Sequence, residues 1–302
     1  MQVTIKELLR HLKKAFSLVL CLKPYKGFLI PVGISIVLVD MFRALFKNIC
    51  RTRSLAEACR SILRGLGPIV LMRILDDFWF IAPNVRDLMA SNSLVSEPKT
   101  YSIVRNMVMK LSKNRGRVLF IDVGAHIGGY SVRIAKYVES LAIEPNPVAL
   151  AYLKANTEIN EVKVRIVPKA LWNSKGRVNL IICGELGHSH VEEQTINPNP
   201  AKSISVEATT LDEIVKELRE RYDVYVIKVD VEGAEVEVLE GSLETLKTGK
   251  AVLIIEIQPS NLHSVQEILH KLGYKIVHIE GLNYLAYKSH TPKSSYARAL
   301  RR

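Results

Sequence analysis

The stretch Phe120-Ile-Asp-Val-Gly-Ala-His-Ile-Gly-Gly129 leaves a chain few folds to choose from. Val118 to Val123 is an apolar run broken only by Asp122, of the length of a buried strand and ended by glycine. Asp122 stands at the carboxyl end of that strand. Gly124 and Gly128 then make a tight turn, and an apolar-periodic segment from Gly129 starts a helix. Leu141-Ala-Ile-Glu144 reads as a second short strand, again ending on a carboxylate. In open α/β sheets ligands bind outside the carboxyl ends of the strands. A strand, a glycine turn, a helix and an acid-tipped strand therefore make a pocket for an adenosine-like ligand. The glycines admit the ligand close to the backbone, and Glu144 can accept hydrogen bonds from both ribose hydroxyls.

The glycine spacing narrows the ligand. Dinucleotide sites use G-x-G-x-x-G, because the second glycine lets the backbone touch a pyrophosphate. Here Ala125, His126 and Ile127 separate Gly124 from Gly128, and the position of that second glycine is taken by His126. The pattern disfavours NAD and favours S-adenosylmethionine, which carries no phosphate. Alone, the same turn also fits an ordinary strand-to-helix connection in any α/β protein.

A second segment, Val226-Ile-Lys-Val-Asp-Val-Glu-Gly-Ala-Glu-Val-Glu-Val-Leu-Glu-Gly-Ser242, adds to it. Together with Asp122-Val-Gly-Ala-His-Ile-Gly128 and Ile143-Glu-Pro-Asn-Pro147, it closely resembles the FkbM family of methyltransferases. Weaker matches follow in the family's order: Ala170-Leu171 before a Lys175-Gly176 turn, Thr210-Leu211-Asp212, and Val252-Leu-Ile-Ile-Glu-Ile257. The resemblance spans residues 69 to 288. The family's usual Asn between the first glycines is His126 here, which leaves the role of that side chain open. The resemblance implies a Rossmann-like class I methyltransferase sheet, mostly parallel with helices on both faces, and S-adenosylmethionine as cofactor. It implies hydroxyl acceptors on sugars, glycolipids or secondary metabolites, hence an O-methyltransferase. Asp122, Gly124, Ala125, Gly128, Glu144 and Ala170 are the expected cofactor-binding residues.

The chain divides by charge. Of its net +12, residues 1–117 carry +13 and the remainder −1. A neutral catalytic region behind a cationic leader points to an anionic surface as the leader's partner, either phospholipid or nucleic acid. Lys6 to Leu22 has a basic and an apolar helical face, broken by Pro24 and Gly27. The apolar run Phe28 to Val39 is shorter than the roughly 18 residues of a confident membrane span. It also lies too far along the chain for a normal signal peptide. It can span a membrane, lie on one, or pack as a helical cap. Cys21, Cys50, Cys59 and Cys183 show neither metal-ligand nor disulfide-framework spacing and read as reduced thiols in a cytosolic protein. The expected organisation is a basic, partly apolar helical extension over 1–67 and a methyltransferase domain over 68–288, with a lead-in hairpin and helix over 68–117 and the Rossmann-like core over 118–288. A basic, mobile tail over 289–302 follows. The expected setting is cytoplasmic, with membrane association on the cytoplasmic face.

Methyl transfer is an in-line displacement governed by positioning, and an alcohol acceptor also needs its proton removed. The candidates for that work are Asp230, Glu232 and His188. Asp230 ends its strand on the same sheet edge as Asp122, and reads equally as the N-cap of the next helix. Glu232 is also the kind of acid favoured in a helix's first turn. Glu256 ends the following strand and faces the same crevice. His188 and His190 form an H-x-H pair in a polar loop, where loop histidines, substrate contacts and a metal site are all open readings; no other residue is fixed as a metal ligand. Asn146 and Asn156 read as capping or packing residues. The competing functions are a nucleotide-linked oxidoreductase, a membrane-tethered binding module without catalysis, and a nucleic-acid methyltransferase. The last lacks the interleaved aromatic residues that stack bases.

Overall fold

The computed structural model describes residues 70–74, 78–83, 87–88, 93–113, 116–181, 190–192, 203–218 and 220–288. The expectations for the leader 1–67, the tail 289–302, the cysteines and His188 fall outside the described residues. Among the described residues, no helix is long and apolar enough to cross a membrane.

The centre is a 7-stranded sheet in the order β12-β13-β11-β10-β3-β4-β5. Its strands are β3 (Val118–Val123), β4 (Glu139–Ile143), β5 (Val164–Val167), β10 (Val224–Val229), β11 (Ala251–Glu256), β12 (Lys275–Glu280) and β13 (Asn283–Tyr287). Neighbours are parallel from β5 through β11, and only β13, paired antiparallel with β11 and β12, breaks the pattern. Every residue of β3 and β10 is buried, as strands covered by helices on both faces must be. Alternation then divides each strand between two cores. Leu119, Ile121, Ile227 and Ile255 face the side covered by α5 (Leu211–Lys216), α6 (Glu235–Glu240), α7 (Leu243–Lys247) and α8 (Leu262–Lys271). Phe120, Val226 and Ile254 face the other side, against Val104, Met107, Val108 and Leu111 of α2 (Pro98–Lys113), which follows the short α1 (Ser93–Ser96). The lead-in helix thus covers the central strands.

Two helices differ from the pattern read in the sequence. The segment 129–138 forms only α3 (Ser131–Ile134), because Lys136 and Tyr137 donate to carbonyls three residues back and tighten the chain before β4. The segment after Ala234, apolar at helical spacing, forms two helices, α6 and α7, rather than one. A Cβ at Gly241 would lie 2.0 Å from the Trp172 carbonyl oxygen, and Asp212 accepts from the Glu244 and Thr245 N–H groups at 2.9 and 2.7 Å, starting α7 afresh.

Two smaller sheets flank this core. The polar region 176–208 supplies β7 (Gly176–Ile181), β8 (His190–Glu192) and β9 (Ser203–Thr209), which join β6 (Ala170–Leu171) in a 4-stranded sheet ordered β6-β9-β7-β8. The lead-in hairpin pairs β1 (Val70–Ile74) antiparallel with β2 (Phe78–Ala82), as its sequence predicts. Two amides of α4 (Pro147–Ile159) and its C-cap hold β2 as a neighbouring strand would. Asn156 exchanges hydrogen bonds with the N–H and C=O of Ile81 at 2.6 and 3.0 Å, and Asn160 does the same with Trp79 at 2.8 and 2.6 Å. The Asn156 amide also donates to the Ile127 carbonyl at 2.8 Å, tying the hairpin to the glycine turn.

Candidate active site

A cavity of about 300 Å³ opens at the carboxyl ends of β3, β4, β10 and β11. Its wall includes Asp122, Gly124, Ala125, Glu144, Ala170, Asp230 and Glu232. Gly128, expected there too, is not in the wall. His188 is outside the described residues.

Gly124 has φ +78°, and a Cβ there would lie 1.7 Å from the Asp230 carbonyl oxygen. The Asp230 N–H in turn donates to the Val123 carbonyl at 3.0 Å. The loops after β3 and β10 interlock at a point where only glycine fits. Gly128, φ +95°, is similar: a Cβ would meet Val132 and Leu153 side-chain carbons at 2.6 and 2.7 Å. The sequence reading gave both glycines to the ligand; the space beside each Cα is filled by protein, so packing alone already requires them.

His126 sits between them at φ +51°. Among side chains with a Cβ, Asn, Asp and His are the ones enriched in this left-handed region. His126 is therefore a residue suited to this conformation, as Asn would be. The His126 N–H donates to Glu144 Oε2 at 2.8 Å, and the Asn146 N–H donates to Oε1 at 2.8 Å. Asn146 caps α4 through Val148 N–H, as expected of it. A carboxylate offers about four acceptor sites, so Glu144 keeps lone pairs for a ligand. Burial pushes its pKa up to about 7, against the lowering effect of the Asn146 and His126 N–H groups. Burial likewise raises Asp122 to about 6, although its Oδ2 accepts from the Ser131 N–H at 2.8 Å.

The other end of the cavity is a cluster in which Asp230 and Glu256, expected from the sequence, are joined by Lys228 and Glu97, which are not. Lys228 is buried at the end of β10, with its side chain 1% exposed. Its Nζ lies 3.3 Å from Asp230 Oδ2 and 3.9 Å from both Glu97 and Glu256. Burial would depress the ammonium, but Asp230, Glu97, Glu256 and Asp122 together raise its pKa above the ordinary lysine value. The Tyr130 hydroxyl donates to Glu97 Oε2 at 2.7 Å. The signal for Lys228 was present as a lone charge inside Val224-Tyr-Val-Ile-Lys-Val229, a strand otherwise fit only for a core. Glu97 carries no such signal, because α2 brings it to the site only through the fold. Oxygens of Glu97, Asp230 and Glu256 lie within 4.8 Å of one another, close enough for a cation. The Lys228 ammonium already supplies positive charge there.

The N-cap alternative for Asp230 does not hold. No side chain caps α6, Asp230 Oδ2 faces Lys228, and Glu235 Oε1 takes the Gly233 N–H at 2.8 Å. Glu232, at φ +51°, follows on the loop and lies 3.4 Å from the Gln258 amide.

Several solved structures are similar to the chain. An FkbM methyltransferase from Methylobacillus flagellatus is 18% identical, with a TM-score of 0.38 over 78% of this chain and 60% of its own. A tRNA (uracil-54, C5)-methyltransferase from Pyrococcus abyssi, in complex with S-adenosyl-L-homocysteine, is 13% identical, with a TM-score of 0.36 over 72% of this chain and 43% of its own. The magnesium protoporphyrin IX methyltransferase of Synechocystis, with bound S-adenosylmethionine, is 12% identical, with a TM-score of 0.37 over 64% of this chain and 81% of its own. The chain thus spans less than two thirds of the first two. None of the curated proteins matches it. The methyltransferase FkbM domain matches residues 122–276, about half of the chain, and on that match the protein belongs to the FkbM methyltransferase family.

Proposed function

We propose that the protein transfers a methyl group from S-adenosylmethionine to a hydroxyl of a sugar, glycan or glycolipid acceptor. The observation that carries this reading is the two-ended cavity. A buried carboxylate with open lone pairs, Glu144, stands at one end, and a lysine-centred acid cluster stands at the other. The residues present fit the cofactor. Glu144 can take both ribose hydroxyls, Ala125 and Ala170 leave room for a flat base, and Asp122 and Gly124 line the path between the ends. Gly128 supports the turn from behind. When bound, S-adenosylmethionine supplies an electrophilic methyl group on a sulfonium.

The chain's own work is then to position the acceptor and take up its proton. Asp230, held by Lys228, and Glu232 on the same loop are proposed to contact the acceptor. His188 is proposed as a further contact from the polar loop. The acids Glu97, Asp122, Glu144, Asp230, Glu232 and Glu256 outnumber the cavity's two lysines, Lys169 and Lys228, which favours an uncharged polyol and disfavours a phosphodiester. The basic leader 1–67 is proposed to hold the enzyme at an anionic membrane surface on the cytoplasmic face, where a lipid-linked acceptor would be met.

Calorimetric titration tests the cofactor assignment. The wild type is expected to bind S-adenosylmethionine and not NADH. Glu144→Ala should weaken binding at least about tenfold, since charge-assisted hydrogen bonds contribute about 1.5–3 kcal/mol each. Binding of NADH in preference to S-adenosylmethionine would refute the reading.

A further inference from the structure

The acid cluster divides its work unevenly. Asp230 takes the nearest approach of the Lys228 ammonium, at 3.3 Å, and Glu97 takes the Tyr130 hydroxyl at 2.7 Å. Among the described residues, the Glu256 carboxylate receives no hydrogen bond, and its nearest partner is the Lys228 Nζ at 3.9 Å. Its side chain is 21% exposed and lines the cavity. Alternation on β11 puts Glu256 on the same face as Val252 and Ile254, under the start of α2. A carboxylate that faces the cavity with its lone pairs open is where a proton can be delivered. Asp230 and Glu97 each have one oxygen already engaged, so Glu256 is the least encumbered of the three.

We propose that Glu256 is the general base of the transfer, and that Lys228 is the positioning residue that holds Asp230, Glu97 and Glu256 around the acceptor. This rests on the hydroxyl-methylation reading. The acceptor oxygen forms a bond to the methyl carbon, and the carbon–sulfur bond breaks with its electron pair passing to sulfur. The hydroxyl proton passes to Glu256, which later returns it to water. Burial first, then Asp230, pushes the Glu256 pKa up to about 8 despite Lys228. A base is most effective when its pKa lies near the working pH. The groups facing it are Lys228 from β10, Asp230 just beyond that strand, Glu232 from the loop that follows, and Glu97 ahead of α2. Of these, Lys228 favours its ionised form and the carboxylates oppose it.

The test uses the full chain. Tritium-labelled methyl transfer to a panel of methyl glycosides is measured for wild type, Glu256→Gln and Glu256→Asp, with calorimetry for S-adenosylmethionine binding. Carbon-13 NMR of the glutamate carboxyls follows the resonance missing from both variants. Glu256→Gln should bind the cofactor within a few fold of wild type yet transfer about 100-fold more slowly or worse. Its pH–rate profile should lose the rising limb shown by wild type, and Glu256→Asp should recover part of the rate. The resonance should titrate well above the ordinary glutamate range. Near-normal turnover in Glu256→Gln, or a resonance that titrates in the ordinary range, overturns the assignment. If wild type binds the cofactor but methylates no glycoside, the sugar-acceptor reading fails, and Glu256 stands or falls on the NMR titration.

Discussion

Glu144 weakens the folded protein at the place proposed for its ligand, and Glu144→Gln exposes the exchange. The carboxyl is buried, and its pKa rises from 4.5 in the unfolded chain to about 7 in the folded one. Between those values the folded state binds more protons than the unfolded state, so stability falls as pH rises through the window and levels off above it. The gap corresponds to roughly 3 kcal/mol at full ionisation, at 1.36 kcal/mol per pKa unit. Between about pH 5 and about pH 8 the part due to Glu144 is about 2.5 kcal/mol. The amide of Glu144→Gln does not titrate, so this pH dependence should vanish. One end of the amide must, however, set an NH₂ against the N–H of His126 or Asn146, costing about 1–3 kcal/mol at every pH. The variant should therefore be less stable than wild type at about pH 5 and should close or reverse the gap by about pH 8. Urea unfolding across that range measures it. Parallel curves for the two proteins would show that Glu144 ionises normally when buried, and would refute the reasoning.

Three other outcomes are expected. Gly124→Ala must push the Asp230 carbonyl aside and hold a left-handed backbone, which alone costs about 1–2 kcal/mol; thermal unfolding should show at least that loss, with cofactor binding impaired. Asn156→Ala orphans the N–H and C=O of Ile81 and should destabilise by about 3 kcal/mol in chemical denaturation. Full-length protein should bind anionic vesicles at low salt and leave them at high salt, because lysine and arginine near such a surface contribute about 1 kcal/mol each and are screened; indifference to those vesicles at low salt would remove the proposed role of residues 1–67.

Most of the sheet could be read from the chain, because buried parallel strands announce themselves as apolar runs and their acids fall at the ends. Asp122, Glu144 and Asp230 were legible for that reason. Helix lengths were not. α3 stops early through hydrogen bonds three residues back, and α6 ends where Trp172, distant in sequence, crowds Gly241. Lys228 is marked in the chain as a lone charge within a core strand. Glu97 could not be found from local pattern, because Tyr130 and Lys228 meet it only after α2 folds across the central strands.

The contact between Gly124 and the Asp230 carbonyl limits how such a chain can diversify. Two loops that touch backbone to backbone cannot change length independently, since an insertion in either would lift one off the other. The floor of the cavity is thus closed to variation by insertion, however freely its exposed side chains are exchanged. Novelty in acceptor choice is left to segments that reach the cavity from outside the interlocked pair, such as the lead-in residues Ser93, Ser96 and Glu97. A comparison of relatives acting on different acceptors should find insertions and deletions concentrated in those segments, and the spacing from Asp122 to Gly128 and from Lys228 to Gly233 unchanged.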